Sequence, residues 1–297
     1  AWINQVTAKN DLGEVFLQNV KQAMMTGEPG FSFNFFNKEN ETLRNACTEV
    51  SSEDDSDVCN LGSLNFGRIE SLQELTDVIR LAIQFLICGT LKAQLPYAKV
   101  YDVRAKNRRL GLGIMGLHEW LLRRGERFEV TPELHQWLTL YQSVSDREAA
   151  SFSGRLGVSA PVASRAIAPT GTIGLLAGTT QGIEPLYSVA YKRRYLKNGT
   201  DWHYQYEVDH TAMDMIQRYG LNPDSIETAA DLAKDYRRRI AFQADVQDYV
   251  DMSISSTINL PAWDTEHNNE DKVQMFAQVL ALYAPRLRGF TCYPDGA

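Results

Sequence analysis

Hydrophobic and polar positions follow a helical rhythm in several parts of this chain. Four helices are predicted, over 11–25, 71–86, 131–153 and 269–284, and apolar residues at helical spacing indicate all but the third. Gly27 is a plausible stop for the first helix. Ser71 followed by Glu74 forms a capping-box pair at the start of the second, and Thr131 with Pro132 indicates the start of the third.

Shorter stretches rich in β-branched, aromatic or small residues predict strands between these helices. They are 30–36, 163–168, 187–194, 250–261 and 287–293. From 198 to 235 the pattern is polar and irregular, with one helix predicted near 210–219. Alternating strands and helices predict an α/β architecture, with functional groups on loops that follow strands.

Composition and charge narrow the functional classes. The chain has 297 residues, of which 44% are hydrophobic and 23% charged, as in a globular protein with one large core or two ordinary ones. No apolar run approaches the roughly 20 residues that span a bilayer, and no signal peptide is apparent, so we expect a cytoplasmic protein without a membrane partner. A net charge of −7 argues against nucleic acid as a partner.

A cluster of reactive side chains lies between the first two predicted helices. Asn45, Cys47 and Glu49 place an amide, a thiol and a carboxylate within five residues, and Cys59 follows twelve residues after Cys47. They could supply hydrogen bonding, radical or nucleophilic sulfur, proton transfer and a reductant. The four cysteines are too few for a disulfide scaffold, and an isolated cysteine is more often an inert buried residue. Cys88, in the second helix, is predicted to be a buried core residue. Cys292, in the last predicted strand, could be either a core residue or a catalytic one.

Two glycine-containing motifs are candidate sites for a phosphate or a dinucleotide. Pro169, Thr170, Gly171, Thr172 and Ile173 follow a predicted strand and open a possible helix, where backbone N–H groups and hydroxyls would favour an anion. On local pattern alone, a plain strand-to-helix turn is the alternative. The string 111–116 matches G-x-G-x-x-G, but charged residues precede it. Close backbone packing as a helix begins is the favoured interpretation of that string.

Metal binding is not indicated by the sequence. His203 and His210 are seven positions apart, and no cysteine or third histidine completes a site.

Six motifs in one order resemble the catalytic subunit of ribonucleotide reductases, over nearly the whole chain. They are NACTE at 45–49, CNLGSLN at 59–65, NRRLGLG at 107–113, APTGTI at 168–173, GIEP at 182–185 and SSTINLP at 255–261. The resemblance implies a ten-stranded α/β barrel built from two halves, with a central finger loop that carries a radical cysteine. Residues 1–297 would be a single partial catalytic domain, the C-terminal portion of that barrel.

The resemblance also implies a role for each member of the cluster. Cys47 would be the thiyl radical that removes the hydrogen from C3′ of the ribose, and Glu49 would be the general base for the 3′-hydroxyl. Asn45 would hold the sugar hydroxyls, and Cys59 would be half of the dithiol that reduces the substrate. Residues 169–173 would hold the phosphates of a ribonucleoside diphosphate or triphosphate, which favours the phosphate interpretation of that turn.

Departures from the family pattern define the expected partners. Ala46 stands where the family usually has proline, and the sequence begins only shortly before Asn45. We therefore expect a complementary N-terminal catalytic fragment that carries the partner of Cys59, and no turnover by the isolated chain. The family also implies a thioredoxin- or glutaredoxin-type reductant and leaves oligomer formation open.

The radical source and the class of protein each have an alternative. The segment 289–296 resembles the adenosylcobalamin-dependent class, with one tyrosine, Tyr293, where the other class has an adjacent pair. Adenosylcobalamin is therefore the favoured cofactor. The alternative is that no cofactor binds directly and a separate metal-containing subunit delivers the radical. A non-catalytic assembly or regulatory fragment of a reductase, or a nicotinamide-dinucleotide dehydrogenase based on 111–116, are the alternatives to catalysis by a reductase.

Overall fold

The structure is a computed structural model that describes residues 2–296, and it interleaves helices with short strands. The helices are α1 Trp2–Val6, α2 Asp11–Thr26, α3 Leu72–Lys92, α4 Ala98–Asn107, α5 Leu117–Arg123, α6 Pro132–Leu156, α7 Gly171–Ala177, α8 His210–Tyr219, α9 Ala229–Leu232, α10 Tyr236–Gln247 and α11 Glu270–Tyr283. The strands are β1 Phe31–Ser32, β2 Leu43–Arg44, β3 Ser51–Ser52, β4 Asn60–Asn65, β5 Leu110–Met115, β6 Ala190–Lys197, β7 Asp201–Val208, β8 Thr257–Leu260 and β9 Gly289–Pro294. The predicted α/β architecture is confirmed.

Parallel strands form the framework of the fold. β4 pairs in parallel with β5, and single parallel bridges extend this arrangement to the segments 163–168 and 252–255. The second segment leads into β8, which pairs in parallel with β9, while β1 adds an antiparallel edge to β9. Within residues 2–296 these strands form open sheets, so the ten-stranded barrel stays a prediction.

Two hydrophobic cores cover the strands. In the first, α3 and α6 pack together over β4 and β5, with Ile79, Ile83 and Trp120 fully buried. In the second, α2, α10 and α11 pack against β8 and β9. Each fully buried aliphatic side chain contributes on the order of 1.5–3 kcal/mol, so these faces fix the helices to the strands.

The predicted helix boundaries are confirmed where a cap was visible in the sequence. Gly27 ends α2 with φ 83°, the left-handed conformation that glycine adopts without strain. The Ser71 side chain accepts a hydrogen bond from the N–H of Glu74 at the start of α3. The Thr131 side chain does the same for Leu134 at the start of α6.

Three predictions of burial and element type were wrong. The strand expected over 30–36 is limited to β1, and a 3₁₀ turn follows at Phe36–Lys38. Phe85 lies within the stretch 71–86, whose apolar residues predict one buried stripe, but it is 78% exposed. Cys88 was predicted to be core and is also exposed. Both are direct neighbours of the buried residues Leu86 and Ile87, and adjacent residues of a helix point about 100° apart.

The glycine string 111–116 has a different setting from the one predicted. Gly111 and Gly113 lie inside the buried strand β5, and only Gly116, with φ 72°, precedes a helix. A Cβ atom on Gly111 would lie 2.4 Å from Cδ2 of Leu61, and one on Gly113 would lie 2.5 Å from the carbonyl oxygen of Ala166. Close backbone approach is therefore the reason for glycine here, but between strands. A motif inside the strand does not form the dinucleotide-binding turn.

The region expected to be irregular contains a long antiparallel ribbon. β6 pairs with β7 along its full length, from Ala190 opposite Val208 to Lys197 opposite Asp201. The turn includes Asn198 and Gly199, which both have positive φ. Asn-Gly is a strong hairpin signal, so the second strand could have been predicted.

No helix within residues 2–296 has the length and apolar character required to cross a bilayer.

Candidate active site

Cys47 lies at the tip of a short hairpin between β2 and β3. We call residues 45–50 the Cys47 loop. The N–H of Val50 donates to Oδ1 of Asn45 at 3.0 Å, and the N–H of Thr48 donates to the carbonyl oxygen of Asn45, also at 3.0 Å. Thr48 has φ 66°. The Asn45 side chain thus closes the loop and leaves the Cys47 thiol exposed.

Buried ion pairs hold the base of this hairpin. Nη2 of Arg288 donates to Oε2 of Glu41 at 2.7 Å and to Oγ of Ser51 at 3.1 Å. Arg109 contacts Glu41 at 3.4 Å and Asp57 at 2.7 Å. Burial acts to raise the pKa of Glu41, but the hydrogen bond from Arg288 and the nearby cations hold it below its ordinary value. The hairpin is therefore tied to β9 and β5 through charged groups.

The Cys47 loop also contacts the amino ends of two parallel strand segments. The carbonyl oxygen of Glu49 accepts a hydrogen bond of 2.8 Å from the N–H of Ser253. A Cβ atom on Gly289 would lie 2.9 Å from Oγ of Ser253 and 3.3 Å from Oγ1 of Thr48, so glycine at 289 lets the loop approach β9. The Glu49 side chain is 2% exposed, and its Oε2 has no hydrogen-bond partner among residues 2–296. A buried carboxylate oxygen without a partner is available to accept a proton, or a hydrogen bond from a hydroxyl group.

Cys59 lies immediately before β4, in an apolar cluster with Val50 of the Cys47 loop, Ala166 and Met252. Burial raises the pKa of its thiol to about 12; the charge of Arg109 opposes this rise, and those of Asp57 and Glu49 add to it. The thiol is consequently protonated at neutral pH. The structure therefore brings Cys59 and Val50 of the Cys47 loop into the same apolar cluster.

The turn at 169–173 begins a helix, as predicted. Thr170 has φ 53°, and its Oγ1 accepts a hydrogen bond of 2.7 Å from the N–H of Gly182. α7 starts at Gly171, so the N–H groups of its first turn have no partner within the helix. A groove of ≈ 360 Å³ separates this turn from Leu61, Gly62 and Ser63 of β4. The turn thus faces the strand that directly follows Cys59.

A further cleft shares Pro169 with that groove, and a second cleft continues from the first toward the carboxyl ends of β8 and β9. One, of ≈ 380 Å³, is lined by Pro169, Glu184, Tyr187, Thr257 and Asn259, among others. The next, of ≈ 490 Å³, shares Tyr187, Thr257 and Asn259 and extends to Tyr293 and Asp295. Ligands of α/β sheets bind outside the carboxyl ends of parallel strands, which makes this face the candidate binding face.

Glu184 lines the first cleft, and the sequence alone indicates no role for it. Its Oε1 accepts from the N–H of Thr257 at 2.7 Å, and its Oε2 accepts from Nη2 of Arg239, also at 2.7 Å. It therefore holds the 182–185 turn against the start of β8. The motif GIEP was visible in the sequence, but both partners lie more than fifty positions away.

His203 and His210 lie on different elements of the fold. His203 stacks on Tyr195 in the ribbon, and His210 opens α8. Within residues 2–296, no group of three or more His, Cys, Asp or Glu side chains is arranged to hold a metal ion.

Known proteins share both the sequence and the fold. The family model for the barrel domain of ribonucleotide reductase matches residues 4–135 and 162–285. A putative adenosylcobalamin-dependent ribonucleoside-triphosphate reductase of Mycobacterium phage D29 is 27% identical over 92% of this chain and 44% of its own length. A vitamin B12-dependent ribonucleoside-diphosphate reductase of Mycobacterium tuberculosis is 28% identical over 99% of this chain and 48% of its own. The chain therefore spans about half the length of these curated relatives.

Two solved structures show the same fold. The crystal structure of a B12-dependent, class II ribonucleotide reductase superposes with a TM-score of 0.73 at 17% identity, covering 99% of this chain and 49% of that one. The class Id reductase alpha subunit of Actinobacillus ureae gives a TM-score of 0.64 at 17% identity, covering 100% of this chain and 64% of that one. The resemblance carried by the six motifs is confirmed, because the family model covers most of the sequence. This chain belongs to the ribonucleotide reductase barrel-domain family.

Proposed function

We propose that this chain forms part of a reductase active site and reduces ribonucleotides to 2′-deoxyribonucleotides by thiyl-radical chemistry, together with a complementary N-terminal fragment. One observation carries the proposal. The exposed Cys47 and the buried Glu49 lie two residues apart on one clamped loop, and Val50 of that loop packs in the same apolar cluster as Cys59. Such positioning is what a radical reaction on one ribose requires, since small misplacements of reacting groups are costly.

Each group in the site suits one step. The Cys47 thiyl would take the C3′ hydrogen atom, forming S–H and leaving a carbon radical, and would return the hydrogen at the end. Glu49 would accept the 3′-hydroxyl proton through its unpartnered Oε2. The 2′-oxygen would then leave as water. Cys59, protonated because its pKa is about 12, would deliver one proton and one electron. A second cysteine of the partner fragment would deliver the other proton and electron, and the two sulfur atoms would form a disulfide.

Two polar elements would bind the rest of the nucleotide. Oδ1 of Asn45 is engaged by Val50, so its amide NH₂ group is the part that would donate to a sugar hydroxyl. The free N–H groups at 171–173 would hold the phosphates, with Thr170 fixed by Gly182. The groove that links this turn to β4 would place the sugar near Cys59.

We propose that the complementary fragment completes the ten-stranded barrel along β4. Among residues 2–296, β4 pairs on one side only, with β5. Leu61 on β4 is 44% exposed, and Leu81 and Phe85 on the outer side of α3 are 66% and 78% exposed. An unpaired strand edge beside exposed apolar side chains favours association with another polypeptide. The regenerating reductant would be a thioredoxin- or glutaredoxin-type protein.

Adenosylcobalamin is the cofactor that we propose, as in the names of the relatives from phage D29 and M. tuberculosis. We would place its adenosyl group in the cleft at the ends of β8 and β9, because Tyr187 and Tyr293, 59% and 39% exposed, line this cleft together with Asn259. These three residues would hold the group. The cofactor would supply the initial radical by homolysis of its cobalt–carbon bond.

Reconstitution tests the proposal. The full chain is mixed with the N-terminal part of a class II reductase, a ribonucleoside di- or triphosphate, adenosylcobalamin and a dithiol, and deoxynucleotide is measured. Cys47→Ser should abolish turnover, and Glu49→Gln should lower it by about 10²–10⁴-fold. Cys88→Ser, which changes an exposed thiol on α3, is the matched control and should retain activity.

The outcomes separate the parts of the proposal. Activity that survives Cys47→Ser would contradict radical chemistry at this residue and would favour a non-catalytic role for the chain. Turnover that needs a metal-containing radical subunit, and none with adenosylcobalamin, would overturn the cofactor assignment alone.

A further inference from the structure

The ribbon formed by β6 and β7 has two chemically different faces. Residues of a strand alternate between faces, and directly opposed residues share one. The register pairs Lys192 with Tyr206, Arg194 with Tyr204 and Leu196 with Trp202. These six residues form one face, which we call the cationic aromatic face. None of them lines the clefts of the candidate active site.

Cations lie over aromatic rings on this face. Nζ of Lys192 is 4.6 Å from the ring centre of Tyr204 and 5.6 Å from that of Tyr206. Cζ of Arg194 is 4.3 Å from the ring centre of Trp202. The rings are nevertheless open to solvent, with Trp202 52% and Tyr206 81% exposed. The face contains no carboxylate.

The opposite face is electrically balanced. There Glu207 lies 3.5 Å from Nη1 of Arg193 and accepts a hydrogen bond from the hydroxyl of Tyr191 at 3.1 Å. Lys197 is directly opposite Asp201. The surplus positive charge of the ribbon therefore lies on the cationic aromatic face.

The ribbon differs in charge from the rest of the chain. Residues 190–208 hold four Lys or Arg and two Asp or Glu, a net charge of +2 in a chain of −7, which leaves −9 for the remainder. Adjacent exposed Trp, Tyr and Arg side chains are the residue types that dominate protein–protein hot spots. A two-stranded ribbon is also only marginally stable in water without a covering partner.

We propose that the cationic aromatic face is the docking surface for an acidic protein partner. Carboxylates of the partner would lie against Lys192 and Arg194, and its apolar side chains would cover Trp202, Tyr204 and Tyr206. Charge complementarity favours a protein over nucleic acid. Tight binding to nucleic acid rests on about 6–10 phosphate contacts, whereas this face offers two cations and the rest of the chain repels a polyanion.

A synthetic acidic polypeptide tests this surface directly. The probe is a fluorescein-labelled poly(Glu,Tyr) copolymer, and binding to the full chain is followed by fluorescence anisotropy at about 0.15 M salt, where the Debye length is about 8 Å. Saturable binding is expected. Arg194→Glu and Trp202→Ala should each weaken it on the order of tenfold or more, as hot-spot changes do. Arg194→Lys, which keeps the cation, should bind within about twofold of the natural chain.

The matched control lies three residues away on the same strand. Lys197→Glu makes the same change of charge on the opposite face and should alter binding by less than about twofold. Equal weakening by both charge reversals would overturn the proposal in favour of non-specific attraction. Loss of binding in Arg194→Lys, which keeps the positive charge, would also overturn the proposal, because recognition would not then rest on charge at this position.

Two other occupants of the face can be distinguished in the same preparation. Tighter binding of an oligo(dT) strand than of the copolymer would assign the face to nucleic acid and overturn the proposal. Sedimentation that shows a dimer of the chain, converted to a monomer by Arg194→Glu, would assign the face to a second copy instead.

Discussion

Replacing Arg288 by methionine should release the base of the Cys47 loop. The guanidinium of Arg288 contacts Oε2 of Glu41 at 2.7 Å, Oγ of Ser51 at 3.1 Å and the carbonyl oxygen of Asp251 at 2.8 Å. The two charged side chains are only 9% and 13% exposed. Methionine would keep most of the packing volume of the arginine stem while removing every one of these hydrogen bonds.

The expected loss of stability follows from the burial of Glu41. Removing one partner of a buried ion pair costs about 3–5 kcal/mol, because the other charge is left uncompensated. Lys38 and Arg109 remain near Glu41, at 3.7 Å and 3.4 Å, and offset part of this cost. We therefore expect about 3 kcal/mol for Arg288→Met, the lower end of that range.

The loss should depend on pH in a definite direction. The pKa of Glu41 is lowered in the folded chain, so its ion pairs contribute stability above the ordinary value of 4.5, and that contribution disappears as pH falls. Arg288→Met lets the pKa rise again. The difference between the two chains should therefore be largest at neutral pH and should narrow below about pH 4.5.

Urea unfolding followed by circular dichroism measures this difference. Arg286→Met is the matched control, because Arg286 makes its ion pairs with Asp245 and Asp248 at the surface and is 40% exposed. Surface pairs contribute about 0–1 kcal/mol, so the control should cost little. The reasoning is refuted if Arg288→Met costs no more than Arg286→Met, or if its cost is the same at acid and neutral pH.

Three further predictions concern glycines, thiols and the order of folding. Gly111→Ala should destabilise the chain by about 1–3 kcal/mol because its Cβ would meet Leu61 and Cys59. Gly154→Ala, with open space in α6, should stabilise the chain by about 0.5–1 kcal/mol. Urea unfolding in which Gly111→Ala is the more stable variant would contradict both. At pH 8, iodoacetamide should label the exposed Cys47 and Cys88 before Cys59 and Cys292. A rise in pKa from 9.0 to about 12 leaves Cys59 and Cys292 with ~1000-fold less thiolate than the ordinary pKa would give. Mass spectrometry that finds Cys59 labelled as fast as Cys88 would contradict this order of labelling. In pulsed hydrogen exchange during refolding, the N–H of Val50 should gain protection no earlier than the N–H of Ser253. Earlier protection of the Val50 N–H would show that the Cys47 loop forms without its contact to Ser253.

The sequence predicted those elements whose signals are local. The caps of α2, α3 and α6 lie within three or four residues of the helix that they begin or end, so their side chains identify the boundaries. Phe85 and Cys88 were misplaced because an apolar residue can lie beside a buried stripe without joining it. Only the packing partners of α3 decide which of its sides is covered.

The candidate site also has parts that the sequence predicts and parts that only the structure shows. Asn45, Cys47, Glu49 and Cys59 were found from their spacing and from the resemblance, and their roles remain proposals. The clamp between Glu41 and Arg288 joins residues 247 positions apart and is invisible in any local pattern. The same holds for the contact of Glu49 with Ser253, which exists only because two distant strand segments meet.

The left-handed backbone of Thr48 has a consequence for when the site comes into existence. A β-branched residue in this conformation costs about 1–3 kcal/mol, so the loop would not keep its shape by local preference. Besides the hydrogen bonds to Asn45 within the loop, its support comes from Ser253, and Gly289 leaves the space that the loop occupies. Ser253 and Gly289 both follow the loop by more than two hundred residues. A growing or partly folded chain therefore carries Cys47 as an ordinary flexible thiol. The geometry of the proposed site therefore forms only once the segment 252–255 and β9 are in place.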